Sequence, residues 1–200
     1  AKRPLTTLQK SVSKIFLDKE TSALQIKVLS KIMANFIGKT RVPMLVIDTK
    51  TIISNREMFS ARTAGVRGFS IFGRDVEFAL NDDMSINYKQ VKNFIKKYQG
   101  ENILIFGFTF IIWKHFIQEL EKNKKSVNLS KATLFHGGGW KQLESESVDT
   151  FEFKKRIIDS TQISKVHNYY GMVEQTGSIY VECEMGFFHA PSFSDVIIRN

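Results

Sequence analysis

Two β-prone runs that stop on bare glycine constrain this chain most. Ala132-Thr133-Leu134-Phe135-His136 ends at Gly137, Gly138 and Gly139, and about thirty residues later Val166-His167-Asn168-Tyr169-Tyr170 ends at Gly171. Strands of an α/β sheet that end in bare-backbone turns form a ligand crevice at the sheet's carboxyl edge. The rest of the chain alternates in the same way. Apolar residues at helical spacing predict a helix from Asp18 to Gly38, with Asp18 or Thr21 at its start and Gly38 as its C-terminal cap. A buried-type strand follows at Val42 to Asp48. The spacing then predicts a helix over Asn55 to Ala64, ended by Gly65 and Gly68, and short β stretches at Phe69 to Phe72 and Val76 to Leu80.

Further on come a helix from Asn87 to Tyr98, a strand from Asn102 to Phe106 leading through Gly107, and a helix from Thr109 to Lys122. The strand 132–136 and its glycine turn precede a helix from Asp149 to Asp159 that opens with a capping box, Asp149 and Glu152. The strand Lys165 to Tyr170 follows. The period then changes to two. Ile179, Val181 and Cys183 alternate with Tyr180, Glu182 and Glu184, which predicts an antiparallel strand with one wet face and a buried Cys183. Met185-Gly186 reads as its hairpin turn. The last β run, Val196 to Arg199, stops with the chain, as expected of a truncated domain. The fold class is α/β, with layered sheets, flanking helices and an antiparallel hairpin toward the C-terminus.

Composition narrows the function. The chain is 42% hydrophobic and 24% charged, which suits a cored protein. No apolar run reaches the ~20 residues of a membrane span. A single cysteine forms no internal disulfide, which fits a reducing, cytoplasmic compartment. The net charge of +9 is spread over amphipathic segments such as Lys89, Lys92, Lys96 and Lys97, with Asp and Glu among them. Without an arginine stripe or a known motif, it argues against nucleic acid.

The chemistry-bearing residues cluster at the two glycine ends. In His136-Gly137-Gly138-Gly139-Trp140-Lys141, successive glycines expose backbone N–H groups to a ligand, Lys141 adds a cation and Trp140 a flat surface. The alternative is a plain tight turn with Trp140 packed in the core. In Tyr169-Tyr170-Gly171-Met172-Val173-Glu174-Gln175-Thr176-Gly177, a tyrosine ring can cover a purine, Glu174 can hold Mg²⁺, and Gln175 and Thr176 supply neutral hydrogen-bonding groups. The alternative there is a structural turn with an exposed glutamate.

These segments carry a resemblance. Gly-Gly-Gly-Trp-Lys, then Tyr-Gly-Met-Val-Glu-Gln-Thr-Gly-Ser-Ile-Tyr, then Phe-Ser-Asp-Val-Ile-Ile-Arg resemble the LuxE-type acyl-protein synthetase family of the adenylate-forming superfamily. Ser13 to Asp18 and Phe106-Gly107-Phe108-Thr109-Phe110 fit it too. The resemblance implies ATP- and Mg²⁺-dependent activation of a carboxylic acid, a fatty acid first of all, to an acyl-adenylate. The acyl group then passes to a thiol, which in bioluminescence members is a cysteine of the synthetase and then a partner reductase.

Carried over, Gly137, Gly138 and Gly139 line the adenine and acyl pocket. Tyr170 stacks on adenine, Gly171 lies behind it, and Met172, Gln175 and Thr176 complete the nucleotide contacts. Glu174 is the catalytic and magnesium-linked residue. Phe106, Gly107, His136, Trp140 and Lys141 are weaker candidates for the substrate pocket. Val173 stands where the superfamily has threonine, Thr6 to Lys14 lacks the glycines of a phosphate loop, and Cys183 does not match the acylated cysteine. Residues 1–200 therefore read as a partial large N-terminal domain, without its phosphate loop or its C-terminal small domain, and inactive alone. Adenylation of an amino or aryl acid, and a non-catalytic nucleotide-binding or scaffold module, remain the rival readings.

Overall fold

The structure, a computed structural model, describes residues 18–54, 60–171, 178–195 and 197. Helix α1 (Lys19–Ile37) starts where the Asp18 carboxylate accepts the Thr21 N–H at 2.7 Å, and it stops at Gly38, whose φ of 83° suits only glycine. Strand β1 (Val42–Thr49) is buried along its whole length, as a central parallel strand must be. After α2 (Thr51–Ser54) and α3 (Ala61–Ser70) come β2 (Gly73–Leu80), α4 (Tyr88–Lys97) and β3 (Ile103–Phe108). Helix α5 (Thr109–Ile111) runs through a π-helical turn, Ile112–Ile117, into α6 (Gln118–Lys122). Then follow β4 (Ala132–Gly137), a 3-10 turn at Lys141–Glu146, α7 (Thr150–Thr161), β5 (Lys165–Tyr170), β6 (Tyr180–Glu182) and β7 (Phe188–His189).

The strands form one sheet in the order β2-β1-β3-β4-β5-β6-β7. The first five are parallel, and β6 and β7 add an antiparallel hairpin. Right-handed crossovers and ring contacts agree on the layers. Phe36 of α1 and Phe69 of α3 pack on Phe135. On the other face, Trp113 of the π turn and Phe153 of α7 stack at 5.9 Å. Among the described residues no helix is long and apolar enough to cross a membrane.

Several boundaries depart from the sequence reading. Gly65 and Gly68 lie inside α3 rather than ending a helix, and Phe69 belongs to that helix, stacked on Phe106 at 4.3 Å. A Cβ on Gly65 would stand 2.9 Å from the Phe108 ring, so close packing outweighs the poor helix propensity of glycine. Strand β3 continues through Gly107 to Phe108. The expected wet face of β6 is covered: Tyr180 and Glu182 are buried, and the Glu182 carboxylate meets Lys154 Nζ of α7 at 3.2 Å. Cys183, expected in the core, is half-exposed at the hairpin. Residues 55–59 of the expected Asn55 to Ala64 helix, and most of the final β run, lie outside the described residues.

Candidate functional site

Strands β4 and β5 are parallel neighbours, with His136 opposite Asn168, so both glycine ends emerge at one edge of the sheet. They open into a single cleft of about 670 Å³ on the face carrying α1 and α3. Gly138 and Gly139, Tyr170 and Gly171 line one end. Phe69, Phe108 and Tyr169 form an aromatic floor, and Ile179 and Phe188 close the hairpin side. The α3 wall presents Ala61, Ala64, Gly65 and Gly68, which lets the cleft extend close to the helix axis. None of the described residues lining the cleft is charged. A cavity of about 580 Å³ near Lys92, Lys96 and Lys131 lies at the sheet's other, amino edge, away from the strand ends where α/β sheets bind ligands.

Local sequence sets this geometry. Gly138 (φ 81°) and Gly139 (φ 62°) take left-handed conformations that turn the chain away from β4. A Cβ on Gly137 would lie 2.8 Å from the Tyr169 ring, so only glycine lets the two strand ends come so close. Tyr169 packs against Phe69 at 5.0 Å, and burial pushes its phenol up to about 12, so it is neutral at any ordinary pH. Tyr170 leaves the strand on the other side from Tyr169 and stands at the cleft's rim, which it lines. Its ring is 54% exposed, with Tyr180 at 6.3 Å.

The other sequence candidates divide. Phe106 is buried under the floor, 5.8 Å from Phe108. Gly107 faces the far side of the sheet, where a Cβ would meet Ile112 at 2.9 Å; its role there is to let the helix lie on β3. His136 is also on the far face, 4.7 Å from Phe153, and Trp140 packs edge-on to Trp113 at 5.3 Å, which is the core-packing alternative. The structure does not bring Phe106, Gly107, His136 or Trp140 to the cleft surface. The Lys141 side chain and all of Met172, Glu174, Gln175 and Thr176 lie outside the described residues. Among the described residues no three His, Cys, Asp or Glu side chains gather as a metal site.

Two features escaped the sequence reading. The Ala and Gly residues of α3 at spacings of three and four were a visible small-residue stripe, read instead as a helix stop. The other is an ion pair: Arg62 of α3 donates Nε to Asp48 Oδ2 at 2.7 Å and a second bond from Nη2 to Oδ1. Nothing in the spacing of Asp48 and Arg62 announces that pair.

His136 holds the glycine turn from below. Thr109 Oγ1 lies 3.0 Å from both the Gly137 carbonyl and His136 Nδ1. The hydroxyl has one proton; donating it to the carbonyl, it accepts Nδ1–H, which leaves Nε2 a buried acceptor without a protein partner. Burial lowers this imidazole to about 3, with the Lys154 charge acting in the same sense. The unfolded chain therefore binds the extra proton between about pH 6.5 and 3, and stability falls as pH drops through that window. Burial lowers His167 and His115 too, in the same direction. Urea unfolding is expected to show about 2 kcal/mol lost to His136 between pH 7.5 and 5. The His136→Gln variant should show a shallower pH dependence, and equal dependences would mean that the imidazole is not held neutral.

The chain matches the family model for acyl-protein synthetase, LuxE, over residues 6–200. It matches no curated protein and no solved structure at a significant level. The family match covers the described sheet, its helices and both glycine turns, and the chain belongs to the LuxE acyl-protein synthetase family.

Proposed function

We propose that the cleft binds an acyl-adenylate, and that the enzyme activates a fatty acid with ATP and hands the acyl group to a protein thiol. The observation that carries this reading is the opening of both glycine-ended strands, β4 and β5, into one uncharged, aromatic cleft. Acyl-protein synthetase membership supports the acid as substrate. The floor of Phe69, Phe108 and Tyr169 suits a hydrocarbon chain or a neutral ring, and Tyr170 has an open ring face to stack on adenine. The bare backbone at Gly138 and Gly139 admits close approach.

The cleft lining fits the base and the acyl chain of the ligand and offers no cation for phosphates. Those fall to the segment after Gly171, where Glu174 would hold Mg²⁺, with Met172, Gln175 and Thr176 alongside. When bound, the metal neutralises phosphate charge. The acid's carboxylate then attacks the α-phosphate, pyrophosphate leaves, and the acyl group passes to a thiol of a protein acceptor. In this reading residues 1–200 are part of the nucleotide domain of a larger cytoplasmic enzyme.

Calorimetry of the chain with AMP tests the seat itself. Tyr170→Ala is expected to weaken AMP about tenfold, roughly 1.4 kcal/mol, with an unchanged unfolding midpoint. Equal affinity in the two proteins would remove the stacking role, and no binding to either would sink the reading. Pyrophosphate exchange across fatty, amino and aryl acids in the intact enzyme identifies the acid.

A further inference from the structure

Helix α3 carries two glycines in its interior, Gly65 and Gly68, and packing accounts for one of them. A Cβ on Gly65 would meet the Phe108 ring at 2.9 Å, whereas a Cβ on Gly68 would meet nothing within 4 Å. Glycine weakens a helix interior relative to alanine, and no neighbouring atom requires it at position 68. What lies over Gly68 is the cleft, which it lines together with Ala61, Ala64 and Gly65, at i, i+3, i+4 and i+7 on one side of the helix.

That side gives the cleft a direction. Helix α3 joins β1 to its parallel neighbour β2, so it starts near the carboxyl edge, where Gly138, Gly139 and Tyr170 stand, and ends near Gly73, the first residue of β2, at the amino edge. From Ala61 to Gly68 it rises about 10 Å. On α1 the lining changes in the same sense, from Gln25 to Leu29 one turn nearer the amino edge. The run ends at Phe72, which is 9% exposed and packs 6.4 Å from Phe69. Phe72 also lines a second cavity, of about 360 Å³, with Met33 and Ile37 of α1 and with Lys39 and Arg41. Among the described residues Phe72 is the one that lines both cavities, so it partitions them.

On the acyl-adenylate reading of the cleft, on which the inference rests, the geometry points to a ruler. The acyl chain runs from the glycine ends along the small-residue side of α3, over Gly68, and stops at Phe72, so Gly68 and Phe72 set the longest acid accepted. The reverse orientation lays the polar edges of the base against Ala64, Gly65 and Gly68, whose side chains offer no hydrogen bond, and a hydrocarbon loses nothing there. Each methylene laid over this side leaves water and strengthens binding about fourfold, until the chain meets Phe72.

Calorimetry of the chain with straight-chain alkanoates from hexanoate to hexadecanoate, held below their micelle concentrations, reads the ruler. Wild-type affinity should climb about fourfold per methylene and then level off at a break. Gly68→Leu should bring that break about four carbons shorter, because four helical residues from Gly68 to Phe72 rise about 6 Å, and should leave hexanoate within about twofold. Leucine is a better helix former than glycine, so the urea midpoint of this variant should rise. Phe72→Ala should move the break to longer acids by joining the two cavities. Equal weakening of short and long acids by Gly68→Leu, or an unmoved break in either variant, overturns the ruler. Titration with AMP separates the two readings. AMP bound equally by wild type and Gly68→Leu, with no break in the alkanoate series, overturns the ruler alone. A series that breaks as expected with no AMP bound overturns the adenylate reading and leaves the hydrocarbon channel in place.

Discussion

Replacing Arg62 with methionine is expected to destabilise the fold by about 3–5 kcal/mol, read from urea unfolding at pH 7. Asp48 is wholly buried at the carboxyl end of β1, and Arg62 supplies two of its hydrogen bonds; the Thr49 N–H supplies another at 2.6 Å. Methionine keeps the length and apolar stem of the side chain but leaves a carboxylate in the interior without a counter-charge. The double variant Asp48→Asn with Arg62→Met should recover about half the loss, since the amide has no charge to orphan and still accepts from Thr49. A deficit under about 1 kcal/mol would show that the pair is only a surface contact. The effect should reach the cleft as well, because Arg62 anchors the first turn of α3, the helix whose small residues wall it.

What could be read in the sequence follows from how local each signal was. Helix α1 was legible at both ends because Asp18 and Gly38 act within one turn of themselves, and the hairpin turn at Met185-Gly186 was legible for the same reason. Strands β1, β4 and β5 announced themselves by continuous apolar or aromatic runs. The meeting of the two glycine bends was inferred from a rule about parallel sheets, and the register of β4 with β5 places them together. The failures were tertiary. Gly65 and Gly68 look like helix stops to any local rule, and only the Phe108 ring beneath α3 explains why that helix needs glycine at Gly65. Tyr180 and Glu182 look wet from their alternation, and only the docking of α7 with Lys154 explains their burial. His136 beside three glycines looks like a site residue, yet strand alternation alone could have placed it opposite Phe135, on the far face from the cleft. The Asp48–Arg62 pair spans two elements, and no spacing rule links them.

Gly138→Ala is expected to destabilise the protein by about 2–4 kcal/mol and to weaken any cleft ligand at least tenfold. Two costs add. An alanine held at a φ of 81° carries about 1 kcal/mol of left-handed strain. Its Cβ would also stand 2.5 Å from Phe108 Cδ1, a distance at which an atom must move. Phe108 cannot retreat toward α3, where the space left by Gly65 is already taken by the same ring, nor toward Phe106, 5.8 Å away between ring centres. The ring must swing into the cleft, or the turn must lift off β4 and break the Thr109 bond to the Gly137 carbonyl. Gly139→Ala separates the two costs: at a φ of 62° it has strain, but nothing lies within 4 Å of its Cβ, so it should lose only about 1 kcal/mol. Adding Phe108→Leu to Gly138→Ala should return about 1–2 kcal/mol as a coupling energy, because leucine gives up the ring edge that the new methyl meets. If Gly138→Ala and Gly139→Ala cost the same, or the double variant shows no coupling, then Phe108 is free to move, and the aromatic floor is too soft to select a ligand by shape.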